Sequence, residues 1–344
     1  MRLLRYILLS LLLPLLFSCE KDPSLETPHP ISFSPSISVE TKAVSPAVSI
    51  GNTVSLFGIR MVNAVLDPPI FGNGQTLTRN QNDTWTYTPV KNWEATGNYY
   101  FAAVWPSDQQ LAQSQLNGSS LSIIYQVGTN RNNDLMLARA NRDPATQGIG
   151  SVSLLFEHTC SAVRFLIGKS SDATNYVLSS FRLISLETNG TLTVPLTSTS
   201  PTVIADGWHL NGMLGNLFSW TAETQQQYKT INHPSNQNNP DQYDVQMGWY
   251  YMLPQTMNSS SAVEFGIRKV TNEGGNVTYG PEIVTRLSIE DRDGIQGIAD
   301  RWIPNDVYNY YITITQKGAT ITVETTSWDE VQATTEIVTF EPIS

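Results

Sequence analysis

Cysteine and histidine are scarce in this chain, with two and four in 344 residues. Cys160 sits in the apolar run Val152–Ile167 and reads as a small buried hydrophobe with no disulfide partner. The four histidines (His29, His158, His209, His233) are scattered, and no HExxH, GxSxG or P-loop pattern is present. No nucleophile, base and orienting group can be assembled, so the sequence reads as neither an enzyme nor a cofactor or metal protein. Asp291-Arg-Asp293-Gly294 lacks the third acidic ligand and the closing glutamate of a calcium loop. Charged residues make up only 15%, and the net charge is -10 with no Lys/Arg cluster. That excludes nucleic acid, whose phosphates demand a basic footprint. Long Ala/Glu/Lys/Leu stretches are missing, which excludes a helical fold. No regular repeat of about 20–50 residues appears, which excludes a propeller or solenoid.

Abundant Ser, Thr and Asn, with 22 Gly, 19 Pro and 10% aromatics, favour strands and turns. The N-terminus carries Arg2 and Arg5, an apolar run from Tyr6 to Leu13, then Leu16-Phe17-Ser18-Cys19. A basic start, a short apolar core and a small residue before the break describe an export signal over 1–18, too short to span a bilayer. No later segment reaches spanning length. The end of the signal resembles the lipobox of bacterial lipoproteins, which implies acylation at Cys19 and a membrane attachment through that lipid. Residues 19–30, polar and proline-rich, read as a tether.

Strand patterns fill the remainder. Ile31-Ser-Phe33 opens an alternating segment, Val54–Ile59 reads as a buried strand, and Asn73-Gly74 is a turn signal. Tyr99–Trp105 is a continuous aromatic run stopped by Pro106, as in a core strand. Residues 107–120 read as a loop or short helix. Val152, Leu154, Phe156 and His158 follow period two, and Val163, Phe165 and Ile167 repeat it. Phe181–Leu186, then Asn189-Gly190, then Leu192 and Val194 predict a β-hairpin. Residues 225–243 read as an exposed excursion. The expected fold is all-β, with sandwich domains over 31–148 and 149–344.

The order of motifs resembles the fimbrillin-like lipoproteins of the Bacteroidetes. Its elements are the lipobox, Ile31-Ser-Phe33, Thr41-Lys42-Ala43, Trp85-x-Tyr87, Trp93, Tyr99–Pro106 and Asp134-Leu-Met-Leu-Ala138. Leu154-Leu-Phe156-Glu-His158, Leu253-Pro254-Gln255, Trp302-x-Pro304, Tyr308-x-Tyr310-x-Ile312 and Trp328 complete the set. Asn305 stands where the family usually has glycine.

The resemblance implies two tandem transthyretin-like sandwiches and a structural subunit of cell-surface fimbriae that supports adhesion. It implies a precursor lipidated at Cys19 in the outer membrane, a cut near the first strand, and a neighbouring subunit whose strand fills the groove. Lys42, before Ala43, is the candidate cut site; it reads equally as an ordinary solvated lysine. The strand to be lost is Ile31–Val39. The candidate donor is the tail 331–344, with Ile337, Val338, Phe340 and Ile343, which reads equally as an edge strand of its own domain. Partners are then other fimbrial subunits and a host protein or glycan, with shaft, anchor and tip positions open. The alternative is a carbohydrate-binding surface lipoprotein of a glycan-uptake system, for which Trp208 and Trp220, beside Asn/Gly-rich turns, are the candidate sugar platforms.

Overall fold

The computed structural model describes residues 28–37, 50–108, 110, 112–127, 133–290 and 301–327. Cys19, Lys42, Ala43, the 291–294 stretch and the tail with Ile337, Val338, Phe340 and Ile343 lie outside these residues. Five sheets make up the described chain, and the fold is all-β as expected.

The first sheet runs in the order β1 (Ser32–Ile37), β10 (Ser151–His158), β9 (Met136–Arg142), β6 (Asn98–Trp105), β2 (Thr53–Val62), β4 (Phe71–Arg79) and β5 (Trp85–Thr86). The short β3 (Val65–Leu66) pairs with β2. The second sheet is β14 (Trp208–Leu210), β13 (Asn189–Pro195), β8 (Ser120–Gln126) and β7 (Ala112–Asn117). The third is β17 (Val245–Met252), β11 (Ser161–Lys169), β22 (Asp306–Thr315) and β23 (Gly318–Ser327). The fourth is β15 (Leu214–Thr221), β12 (Tyr176–Glu187), β19 (Ala262–Glu273) and β20 (Asn276–Ser288), with β16 (Lys229–Thr230) on β12. A two-stranded ribbon joins β18 (Gln255–Thr256) to β21 (Arg301–Trp302).

β2 and β6 read as continuous apolar runs because they lie mid-sheet with both faces covered. On one face Val54, Leu56, Phe101, Ala103, Leu154 and Phe156 form a cluster with Tyr87 and Trp93. On the other, Phe57, Ile59, Ala102 and Val104 join Leu121, Ile123, Leu192 and Val194 of the second sheet. That larger core continues into the third and fourth sheets through Phe165, Phe181, Phe265 and Tyr310. Pairing runs across residue 148: β10 belongs to the first sheet, and β13 pairs with β8.

Four expectations are corrected. Asn189-Gly190 is no hairpin turn, because β12 and β13 belong to different sheets. The chain changes sheet at Thr188, whose N–H donates to the Met213 carbonyl while its own carbonyl accepts from Val127. Asn73-Gly74 lies inside β4, where Gly74 (φ 75°) sits at a register shift against β2. Residues 107–120 contain β7, a strand whose alternation is polar because it is an edge. β11 is buried on both faces, not in alternation, since Trp249 and Tyr251 cover Ala162 while Tyr243 covers Leu166.

Candidate functional site

β1 comes first among the described strands and pairs, in parallel, with a strand far along the chain. Its register runs from Ser32↔Ser151 to Ile37↔Phe156. The burial alternates as Ile-Ser-Phe-Ser demands: Ile31 and Phe33 are 2% and 4% exposed, while Ser32, Ser34 and Ser36 face outward. The Phe33 ring meets Phe101 at 5.2 Å, Tyr87 at 5.8 Å and Phe71 at 6.1 Å, all in edge-on geometry. Gly58 makes room for this ring cage. A Cβ there would stand 2.9 Å from both Phe71 and Phe101.

The strand is secured at one end. The Ile31 N–H donates to the Lys91 carbonyl (2.8 Å), and the Trp93 N–H donates to the His29 carbonyl (2.9 Å). The Tyr87 hydroxyl donates to the Ile31 carbonyl at 2.8 Å. Burial raises the Tyr87 phenol above its ordinary range, so it stays a donor near neutrality. Toward its other end β1 loosens. Pro35 and Ile37 are half-buried beside a groove of about 550 Å³, whose wall includes Ile50 and Trp85, with Arg79 and Asp83 paired at 2.9 Å on its rim. No strand pairs with the outer edge of β1 among the described residues.

Fully burying side chains of the size of Ile31 and Phe33 is worth about 1.5–3 kcal/mol each. Added to net backbone bonds of about 1 kcal/mol apiece, this holds β1 firmly while covalent, but weakly as a separate peptide. We expect Tyr87→Phe to cost about 1 kcal/mol and to hasten exchange of the β1 and β10 amides selectively, as read by hydrogen–deuterium exchange. Uniform protection in both proteins would show that the hydroxyl does not anchor the strand.

The remaining candidates from the sequence have structural places. His158 Nδ1 bonds the Asp134 carboxylate, both fully buried, so the family's Asp-Leu and Phe-x-His elements meet across β9 and β10. Trp302 donates to the Tyr310 hydroxyl at 3.0 Å, and Gln255 accepts from the Glu187 N–H at 2.8 Å. Cys160 is buried and free, and burial pushes its thiol well up. Trp208 is half-buried against the main core, its indole N–H donating to the Thr159 carbonyl at 2.9 Å. Trp220 is likewise half-buried, with the Lys229 ammonium 5.5 Å from its ring centroid. His209 and His233 are exposed, and no group of three metal-ligating side chains occurs among the described residues. Within those residues no helix is long and apolar enough to cross a membrane.

Sequence reasoning missed Phe71 and Phe101 as walls of the Phe33 cage. Phe101 was legible only as core, and Phe71 follows Pro68-Pro69 with no periodic signal. The Trp85-x-Tyr87 element was legible as an alternating stretch, with no sign that Tyr87 would bond the Ile31 carbonyl.

A crystal structure from Bacteroides uniformis ATCC 8492, described as a candidate cell adhesion protein, matches with TM-score 0.50 and 14% identity, covering 87% of this chain and 98% of that one. Another from Parabacteroides distasonis ATCC 8503, described in the same terms, gives TM-score 0.50 at 12% identity, covering 89% and 98%. At these identities the likeness speaks for the fold alone. No curated protein matches the sequence. The fimbrillin-like family matches residues 41–328, most of the chain and nearly all of the described strands; the protein belongs to the fimbrillin-like family.

Proposed function

We propose that this protein is a structural subunit of cell-surface fimbriae, supporting adhesion, which is exported as a lipoprotein and polymerises by strand exchange. One observation carries the reading: β1 is a terminal strand of its sheet, held by two deep side chains and followed by the segment that contains Lys42. Because β1 precedes every other described strand, one cut between it and β2 leaves it attached by contacts alone. The same cut separates the subunit from the lipid on Cys19. Losing β1 bares the edge of β10 and the Phe33 cage, an acceptor for a strand from the next subunit. The contact is head-to-tail, so it propagates and does not close. Membership of the fimbrillin-like family and the cell-adhesion descriptions of the matched structures support the same role.

N-terminal sequencing of the surface-exposed mature protein tests it. A polymerising subunit begins at Ala43; an anchor retains a lipidated Cys19. A start at neither position, with fimbriae present, would overturn both the processing and the anchor readings.

A further inference from the structure

Five consecutive residues of the C-terminal tail repeat the chemistry of β1. Ile31-Ser32-Phe33-Ser34-Pro35 and Val338-Thr339-Phe340-Glu341-Pro342 share a β-branched residue, a hydroxyl, Phe, a polar residue and Pro, in that order. Of the eleven phenylalanines, only Phe33 and Phe340 have proline two positions later. We propose that Val338–Pro342 of a second copy takes the place of Ile31–Pro35 in that register, running parallel to β10 with Phe340 in the Phe33 cage. This rests on the strand-exchange reading and goes beyond it by fixing partner residues and direction.

The site explains each shared position. At position 31 the place is buried and its N–H has an acceptor waiting, the Lys91 carbonyl at 2.8 Å. Valine fits the space and supplies the N–H. At position 33 the cage of Phe71, Tyr87 and Phe101 is shaped for a phenyl ring. Positions 32 and 34 face solvent, so Thr339 and Glu341 are carried there without desolvation. Position 35 already houses a proline opposite Leu154, so Pro342 forfeits no backbone bond that β1 makes.

Direction follows from the same groups. Running the tail antiparallel, with Phe340 still in the cage, puts Pro342 at position 31. Proline has no N–H for Lys91, so the 2.8 Å bond that Ile31 makes there is lost and the Lys91 carbonyl keeps only the longer contact from the Tyr87 hydroxyl at 3.3 Å. The parallel register also sorts the tail's apolar residues. Ile337 falls at the place of Pro30 and Ile343 at the outward position 36, so Val338 and Phe340 are the two that insert.

Disulfide trapping between separate preparations reads the register. All variants carry Cys19→Ser, which leaves buried Cys160 as the only other thiol. Ser153→Cys lies opposite position 34 of β1, the place the parallel register gives to Glu341. Facing residues on neighbouring strands fall within disulfide reach. After trypsin treatment, Ser153→Cys protein mixed with Glu341→Cys protein should give disulfide-linked dimers, at least tenfold more than with Thr339→Cys protein. The reverse preference would overturn the parallel register while keeping the tail as donor. No trapping with either, alongside wild-type fibres by electron microscopy, would overturn the tail as occupant of this site. Absence of wild-type fibres after the same treatment would bring down strand exchange itself.

Discussion

His158→Leu should destabilise the fold by about 3–5 kcal/mol, because it leaves the buried Asp134 carboxyl without its imidazole partner. Asp134 and His158 side chains are 0% and 1% exposed, and the pair sits where the chain passes from the first sheet to the third. Burial raises the Asp134 carboxyl, and the hydrogen bond and charge of His158, with the Leu135 N–H, oppose that shift. Removing the imidazole leaves burial largely unopposed, so Asp134 is raised further. A carboxyl raised in the folded state binds its proton more tightly there than in the unfolded chain. Stability is therefore lost as pH climbs through the window above the ordinary carboxylate value, and the deficit shrinks on acidification. Urea denaturation at about pH 7.5 and pH 5 should show a larger wild-type-to-variant gap at the higher pH. The double variant Asp134→Leu/His158→Leu should regain most of the loss, since two apolar groups leave nothing unpaired. A gap independent of pH, or a double variant as unstable as the single, would refute an origin in the unpartnered Asp134 carboxyl and leave packing as the cause.

This pair also marks what the sequence could and could not disclose. Period two in Val152–His158 put His158 on the buried face correctly. Nothing in the sequence said that Asp134, on a separate motif, would arrive beside it, because that depends on antiparallel register between β9 and β10. The continuous runs of β2 and β6 were legible as core because burial on both faces erases alternation. The same rule misled at β11, where alternation was read into Val163, Phe165 and Ile167 although Trp249, Tyr251 and Tyr243 cover its second face. Local turn chemistry failed at Asn189-Gly190, where the signal marks a strand entering another sheet. At the site, Ile31-Ser-Phe33 announced an alternating segment, which the structure places as a terminal strand with Ile31 and Phe33 inward. Its parallel pairing with β10, more than a hundred residues downstream, is non-local and left no periodic trace.

Deleting residues 331–344 should leave a folded monomer that forms no fibres. Among the described residues all five sheets are assembled without the tail, and β23 pairs with β22 from Gly318 to its last residue. The urea midpoint of the truncated chain should therefore lie close to that of the intact protein. Polymerisation is different in kind, since it depends on a segment from one copy entering the β1 site of another. Burial of about 600 Å² of apolar surface supplies roughly 15 kcal/mol of gross driving force. Association entropy and ordering of the strand offset much of it. The margin that remains depends on a few inserted side chains, so removing them leaves no partial polymer. Trypsin should still release the N-terminal segment from the truncated protein, because β1 and its connection to β2 are untouched. Electron microscopy and size-exclusion chromatography after that treatment decide the matter. Fibres of normal length would mean that another segment fills the β10 edge. A truncated chain that unfolds at much lower urea would mean that the tail completes its own molecule, so that an open-ended polymer must be held by a different surface.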